Sequence, residues 1–174
     1  PKLLDTDVMG VSSGDVDNVV VTGLEAGEIY HFAVFEYTGS NDAINYLTIT
    51  IGRLEQKTAE VPSITVNPAT INFGAVKTGT FSKRSFTVSA KYLQPTGSGM
   101  LDIFSNEDFF ISLNSLTGYS THLEIPITSS SIDATTVYVQ FLPTELKSYS
   151  NIITLSGGTA ASQIQVLGTG SNTD

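Results

Sequence analysis

Few residues in this chain carry side chains able to do acid–base, nucleophilic or metal chemistry, and their spacing decides how much they can do. There are two histidines, His31 and His122, far apart along the sequence. An activated serine needs a base within hydrogen-bond reach, and the Gly97-Ser98-Gly99 turn lacks the strand-to-helix setting of a nucleophile elbow. Glycoside hydrolysis needs two carboxyl groups roughly 5–10 Å apart across a cleft. Glu107 and Asp108 are instead adjacent in a loop, and alternation points Glu124 outward between Leu123 and Ile125. Asp5, Asp7, Asp15 and Asp17 resemble calcium-ligand pairs, yet a hard cation takes about six to eight oxygens from a defined loop. No Asp-x-Asp-x-Asp-Gly run with a downstream Glu is present. The chain has no cysteine, so disulfides, thiolate metal sites and thiol nucleophiles are excluded. Two histidines in separate modules do not make a zinc site. The expectation is a chain with no catalytic set, no metal and no cofactor.

Binding chemistry has more to work with. Strand alternation puts Phe35 and Tyr37 on the outward face of an early strand, and Phe110, Tyr138 and Leu167 outside a later sandwich. Tyr92 and Tyr119 fall in turns. Phe35, Tyr37, Phe110 and Tyr138 are therefore the candidate contact residues, either for a ligand or for a neighbouring domain. Flat aromatic side chains stack on sugar rings. Such surfaces usually feature Trp, which this chain lacks.

The elements that must position these residues are strands. With 174 residues the chain holds one large domain or two small ones. Apolar residues make up 40% and charged residues only 14%, with Thr, Ser, Gly and Asn taking the polar positions. Mean hydropathy is slightly positive at +0.11. Net charge is −9 with eight Lys and Arg in all, which leaves no basic patch to neutralise phosphates. No apolar run is long enough to insert into a membrane, and no leader is visible. Because Pro1 is not an initiator Met, the chain is expected to be a piece of a larger protein.

From residue 60 onward apolar residues alternate with period two. Ile64 and Val66 open the series, followed by Ile71, Phe73 and Val76, and then Phe86, Val88 and Ala90. After a Pro-Thr-Gly-Ser-Gly turn come Leu101 and Ile103, then Phe109, Ile111 and Leu113, then Leu123, Ile125 and Ile127. Val137, Val139 and Phe141 follow, then Tyr149, Ile153 and Leu155, and last Ile164 and Val166. Seven to nine short strands of this kind predict two packed antiparallel sheets. No segment sustains helical spacing. Earlier in the chain, Val19 and Val21 share a face with Tyr30, Phe32 and Val34 across a turn at Gly27. A return strand is expected through Tyr46–Ile51. Gly52 to Pro62 is charge-dense and reads mainly as a short stiff linker.

Two resemblances sharpen this. Leu24-x-x-Gly27-x-x-Tyr30-x-Phe32-x-Val34 resembles the second half of a fibronectin type III domain, with Ala26 in the usual Pro position. That likeness implies a tyrosine corner at Tyr30. It covers residues 17–58, too few for a whole sandwich, so the face of Tyr30, Phe32 and Val34 is expected to lack part of its cover. The segments Pro62–Gly74, Ser85–Ser89, Phe109–Leu113, Thr135–Pro143, Ser148–Ser150 and Gly168–Gly170 resemble, in order, the immunoglobulin-like "choice-of-anchor D" and ASPM-SPD2-Hydin type repeats of bacterial secreted proteins. That family implies a non-catalytic sandwich appended to extracellular enzymes or adhesins.

The resulting expectation is an all-β chain: a partial fibronectin type III-like unit over 1–59, an immunoglobulin-like antiparallel β-sandwich over 60–171, and the start of a linker at 172–174. Its expected role is a spacer or interaction module of a secreted or cell-surface protein, contacting neighbouring domains of its own polypeptide. Alternatives are a carbohydrate-binding accessory domain with a polysaccharide partner, or an adhesin unit assembling by strand exchange. Neither nucleic acid nor membrane insertion is expected.

Overall fold

The structure, a computed structural model, describes residues 21–35, 37–39, 45–46, 52–94 and 99–172. Asp5, Asp7, Asp15, Asp17, Val19, residues 47–51 and most of the Pro95–Gly99 turn lie outside these. The chain divides into two compact units, Pro1–Val61 and Pro62–Asp174. The described residues of both contain strands and turns and no helix.

In the first unit β1 (Ile29–Val34) pairs antiparallel with β4 (Gly52–Lys57), and β2 (Tyr37–Thr38) pairs with β3 (Asn45–Tyr46). Of the segment Gly52–Pro62, read mainly as a linker, Gly52–Lys57 is therefore a strand. Its side chains are all exposed, and Leu54 is its only large apolar residue. Backbone pairing, which apolar alternation does not register, holds it in place. The Tyr30 corner forms, with the Glu25 amide donating to the phenolic oxygen at 3.0 Å. The Thr58 hydroxyl donates to the Glu25 carbonyl and accepts from the Glu28 amide at 3.0 Å, closing the turn. Tyr30 and Phe32 are half-buried on one face, but Val34 beside them is 70% exposed. On this face, expected to lack part of its cover, Val34 has Gly52 as its cross-strand neighbour, which offers no side chain to pack on.

The described residues of the second unit contain nine strands: β5 (Ser63–Asn67), β6 (Thr70–Lys77), β7 (Ser82–Lys91), β8 (Met100–Phe104), β9 (Phe109–Ser112), β10 (His122–Pro126), β11 (Ile132–Phe141), β12 (Ser148–Gly157) and β13 (Ala160–Ser171). They form a five-stranded sheet in the order β10-β8-β12-β13-β6 and a four-stranded sheet in the order β5-β7-β11-β9. The apolar faces of the two sheets make one core, in which Val88, Leu101, Ile103, Ile111, Val139 and Ile153 have no exposed surface. Burying each such side chain contributes about 1.5–3 kcal/mol. The chain is an all-β immunoglobulin-like sandwich. It crosses from one sheet to the other at every connection from β5 to β12, and β12 and β13 follow each other within one sheet.

Pairing is antiparallel throughout the unit except at one seam, where β13 and β6 run parallel. A register shift on that seam sets Phe73 and Gly74 of β6 against Gly168 alone. This bulge places a residue at positive φ, and Gly74 takes it at φ 69° without steric cost, its amide donating to the Asn72 side-chain oxygen at 2.9 Å. The extra residue explains why the buried positions change parity from Ile71 and Phe73 to Val76. A second shift, between Ile132 and Thr135 of β11, likewise turns both Ile132 and Val137 inward.

The turn between β11 and β12 is tied by Tyr149. Its hydroxyl accepts from the amides of Thr144 (3.1 Å) and Glu145 (2.8 Å) and donates to the Glu145 carbonyl at 3.3 Å. Its ring meets Phe141 edge-on at 5.2 Å. Removing only the hydroxyl, in Tyr149→Phe, leaves two half-sheltered amides without their acceptor. The expected cost is about 1–2 kcal/mol, measured as a lower urea midpoint with an unchanged m-value.

Candidate functional site

The outer face of the four-stranded sheet is the strongest candidate surface. Alternation that buries Phe86, Val137, Val139 and Ile111 brings Ser85, Tyr138, Gln140 and Phe110 to the opposite side. Across the ladder Tyr138 lies between Ser85 and Ser112, and Gln140 lies between Lys83 and Phe110. Tyr138 and Phe110 are therefore diagonal neighbours on adjacent strands, about 7–8 Å apart and within reach of aromatic side chains. Both are half-buried.

A loop at 113–121, between β9 and β10, completes the surface. The Ser112 hydroxyl, buried to 3% exposure, donates to the Thr117 carbonyl at 2.7 Å and accepts from the Asn114 amide at 3.0 Å. The Asn114 side-chain oxygen accepts from the Leu116 amide at 2.8 Å. The loop returns alongside β9, where Ile111 and Ser120 pair in both directions through their backbones. These bonds fix Tyr119, whose hydroxyl donates to the Ser115 carbonyl at 3.1 Å. Lys83 reaches over from β7 and donates to the same carbonyl at 2.7 Å. Its ammonium group also sits 4.9 Å from the Tyr119 ring and 5.2 Å from the ring of Phe81. Partial burial pushes the Tyr119 phenol above its ordinary pKa, and the nearby Tyr138 phenol adds to that. Both effects keep the hydroxyl in the neutral form that donates.

The structure thus joins two of the four residues expected to make contacts. Phe110 and Tyr138 share one surface with Tyr119, Phe81 and Lys83. Phe35, 40% exposed, follows β1, and Tyr37 opens β2 opposite Tyr46, so these two belong to the first unit. Leu113, expected inside, is 44% exposed. β9 ends at Ser112, whose side chain turns back to hold the loop, and the inward alternation stops there. Leu93 is buried without having been part of the alternating pattern. The contribution of Lys83 and Phe81 was also invisible in the sequence, because it depends on which strand lies beside β11.

The opposite, five-stranded sheet carries a second group of polar side chains on its outer face. Asp102, His122 and Glu124 come together there, with one donor atom of each within 4.8 Å of the others. His122 Nε2 lies 2.9 Å from Asp102 Oδ1, and its ring stacks on Phe104 at 4.3 Å with an interplanar angle of 4°. Glu124 points outward as alternation predicts, and both it and His122 are exposed. What the sequence lacked was the register of β8 against β10. His31 pairs with Glu55 at 3.4 Å on the surface of the first unit. A shallow depression beside the β5–β6 crossing is lined by Pro68, Thr70, Ile71, Asn72, Arg84 and Ser85.

No protein-family model matches the chain, and no curated protein matches it. Solved structures with a similar course do exist. The ASH/PapD-like domain of human CEP192 (PapD-like domain 7) aligns at 10% identity over 64% of this chain and 87% of that one, with a TM-score of 0.40. The C. elegans MSP family member WR4 aligns at 13% identity over 62% and 97%, with a TM-score of 0.33. Domains 4 and 5 of the S-layer protein SbsC align at 16% identity over 87% and 76%, with a TM-score of 0.32. At these values the strand order and register of the chain itself define the sandwich, and its role must be read from its own surface. Among the described residues, no helix is long and apolar enough to cross a membrane.

Proposed function

We propose that this chain is a non-catalytic interaction module of a larger secreted or cell-surface protein, related to the choice-of-anchor D and ASPM-SPD2-Hydin type repeats and preceded by part of a fibronectin type III-like unit. Its contacts run through the face built by Phe110, Tyr138, Tyr119 and Lys83. One observation carries the proposal. On a sheet surface otherwise made of short polar side chains, aromatic rings and a lysine gather around a loop that its own hydrogen bonds hold in place. A surface fixed before contact loses little conformational freedom on binding. Its first partner is a neighbouring domain of the same polypeptide.

A second reading, a polysaccharide partner, has specific support. Phe110 and Tyr138 lie side by side, and Gln140, Lys83 and Ser85 place hydrogen-bonding groups around them. Aromatic faces and peripheral polar groups together suit a sugar ring, which has both apolar and hydroxylated surfaces.

The two readings separate experimentally. In native gels containing a panel of soluble polysaccharides, the sugar reading expects retardation of the chain. The Phe110→Ala/Tyr138→Ala double variant should weaken that binding at least about tenfold, or 1.4 kcal/mol. Absence of retardation by every polysaccharide removes the sugar reading. The domain-contact reading expects slower hydrogen exchange in β9, β11 and residues 113–121 when the adjoining domains of the parent protein are present. Unchanged exchange there overturns it.

A further inference from the structure

We propose that Asp102, His122 and Glu124 form a binding site for a zinc-class divalent cation on the outer face of the five-stranded sheet. The site is independent of the surface assigned above and lies on the other sheet.

Strand geometry assembles it. His122 and Glu124 are two residues apart on β10 and so project from the same face. Asp102 lies directly across from Glu124, and Phe104 directly across from His122, in the β10–β8 register. The three donor atoms fall within 4.8 Å of one another. In a tetrahedral zinc site, nitrogen and oxygen ligands stand about 2.0–2.2 Å from the metal and hence about 3.3 Å from each other. To admit the ion, the present 2.9 Å contact between His122 Nε2 and Asp102 Oδ1 opens by a few tenths of an ångström, and the widest separation in the group, up to 4.8 Å, closes by about 1.5 Å. Exposed side chains on strands can make that adjustment by small rotations.

Phe104 acts as a positioning residue. Its ring lies flat on the imidazole at 4.3 Å, which holds the histidine plane so that Nε2 faces the carboxylates.

Electrostatics favours occupancy. Asp102 and Glu124 are like charges directly opposite each other on paired strands, an arrangement that destabilises a sheet unless a cation intervenes. Glu124 has no hydrogen-bond or ion-pair partner among the described residues, and the chain as a whole carries −9. A protonated His122 offsets one charge at most, whereas a dication offsets both carboxylates. One imidazole with two carboxylates is a borderline donor set that suits zinc. Calcium and magnesium prefer all-oxygen shells of about six or more ligands. Three protein ligands leave a fourth position open to solvent for water or for an oxygen of a bound partner.

The test is a titration of the chelator-treated full chain with Zn2+, followed by calorimetry and by the imidazole proton resonances of both histidines. The expected result is one ion bound per chain, shifts of the His122 resonances that saturate with it, and a Zn2+ affinity unchanged by excess Ca2+ or Mg2+. The His122→Asn and Glu124→Gln variants change exposed side chains, so they should fold normally by circular dichroism and bind at least about tenfold more weakly. Zinc affinity equal to wild type in both variants, or His122 resonances that stay still while His31 responds, overturns the proposal. So does a wild-type dissociation constant weaker than about 1 mM.

Discussion

Replacing Phe141 with alanine is expected to remove about 3–5 kcal/mol of stability from the second unit. Phe141 is fully buried on β11 and sits at the centre of the aromatic core. Its ring stacks on Phe109 at 4.7 Å, tilts against Phe73 at 5.5 Å, and meets Tyr149 edge-on at 5.2 Å. It also fills the space left open by Gly168 of β13: a Cβ at that position would come 2.4 Å from the Phe141 ring. Truncation therefore leaves a cavity lined from both sheets, and the glycine opposite has no side chain to move into it. Since domains of this size are stable by only about 5–15 kcal/mol, the loss should show as a large drop in the urea midpoint. Phe141→Leu, which keeps most of the volume, should recover more than half of it. Equal losses for both variants would show that ring contacts, and not the cavity, dominate.

The second large effect is expected at Gly170, where alanine should cost about 3 kcal/mol, at the upper end of overpacking penalties. A Cβ on Gly170 would come within 1.9 Å of the Glu145 carbonyl oxygen and 3.2 Å of Pro143 Cβ. A flexible side chain could yield, but backbone cannot do so cheaply. The Gly170 amide donates to the Lys147 carbonyl at 2.9 Å, so residues 143–147 are clamped onto β13 at this point. The same turn is the one Tyr149 ties together. Thr169→Ala, at an exposed neighbouring position, should change stability by less than about 0.5 kcal/mol. Gly170→Ala combined with Tyr149→Phe should cost measurably less than the sum of the two, because both loosen one turn. Strict additivity would mean that the alanine is accommodated by β13 shifting instead.

The Gly168-Thr169-Gly170 ending illustrates what the sequence does and does not say. As a pattern it is the last of the segments that carry the resemblance to the choice-of-anchor D type repeats. The structure gives a steric reason for each glycine, one facing the Phe141 ring and the other facing the Glu145 backbone. The core of the second unit was legible almost residue by residue, because period-two alternation records which face of each strand is buried. Val66 and Leu123, both half-buried, and the exposed Leu113 are the departures, and each lies at or near a strand end. The bulge at Gly74 was foreshadowed by the change of parity at Val76. Strand order was not legible. It depends on contacts between residues distant in sequence, and for that reason neither the parallel seam nor the grouping of Asp102 with His122 and Glu124 could be anticipated. The Phe110 and Tyr138 surface was half visible: alternation gave the direction of the two rings but not their adjacency, nor the lysine that reaches toward them. In the first unit the corner tyrosine was read correctly, while β4 runs further into the segment read mainly as linker than alternation suggests, because its side chains are polar and exposed.

The parallel seam also has a mechanical meaning. β6 lies near the start of the second unit and β13 at its end, and six residue pairs, from Gln165 with Thr70 to Ser171 with Lys77, join them side by side. Once β5 has been drawn off β7, tension between the two ends pulls β6 and β13 past each other along their length. The load then falls on all of those backbone bonds at once, as along a lap joint, whereas a hairpin pulled apart at its open end gives way one rung at a time.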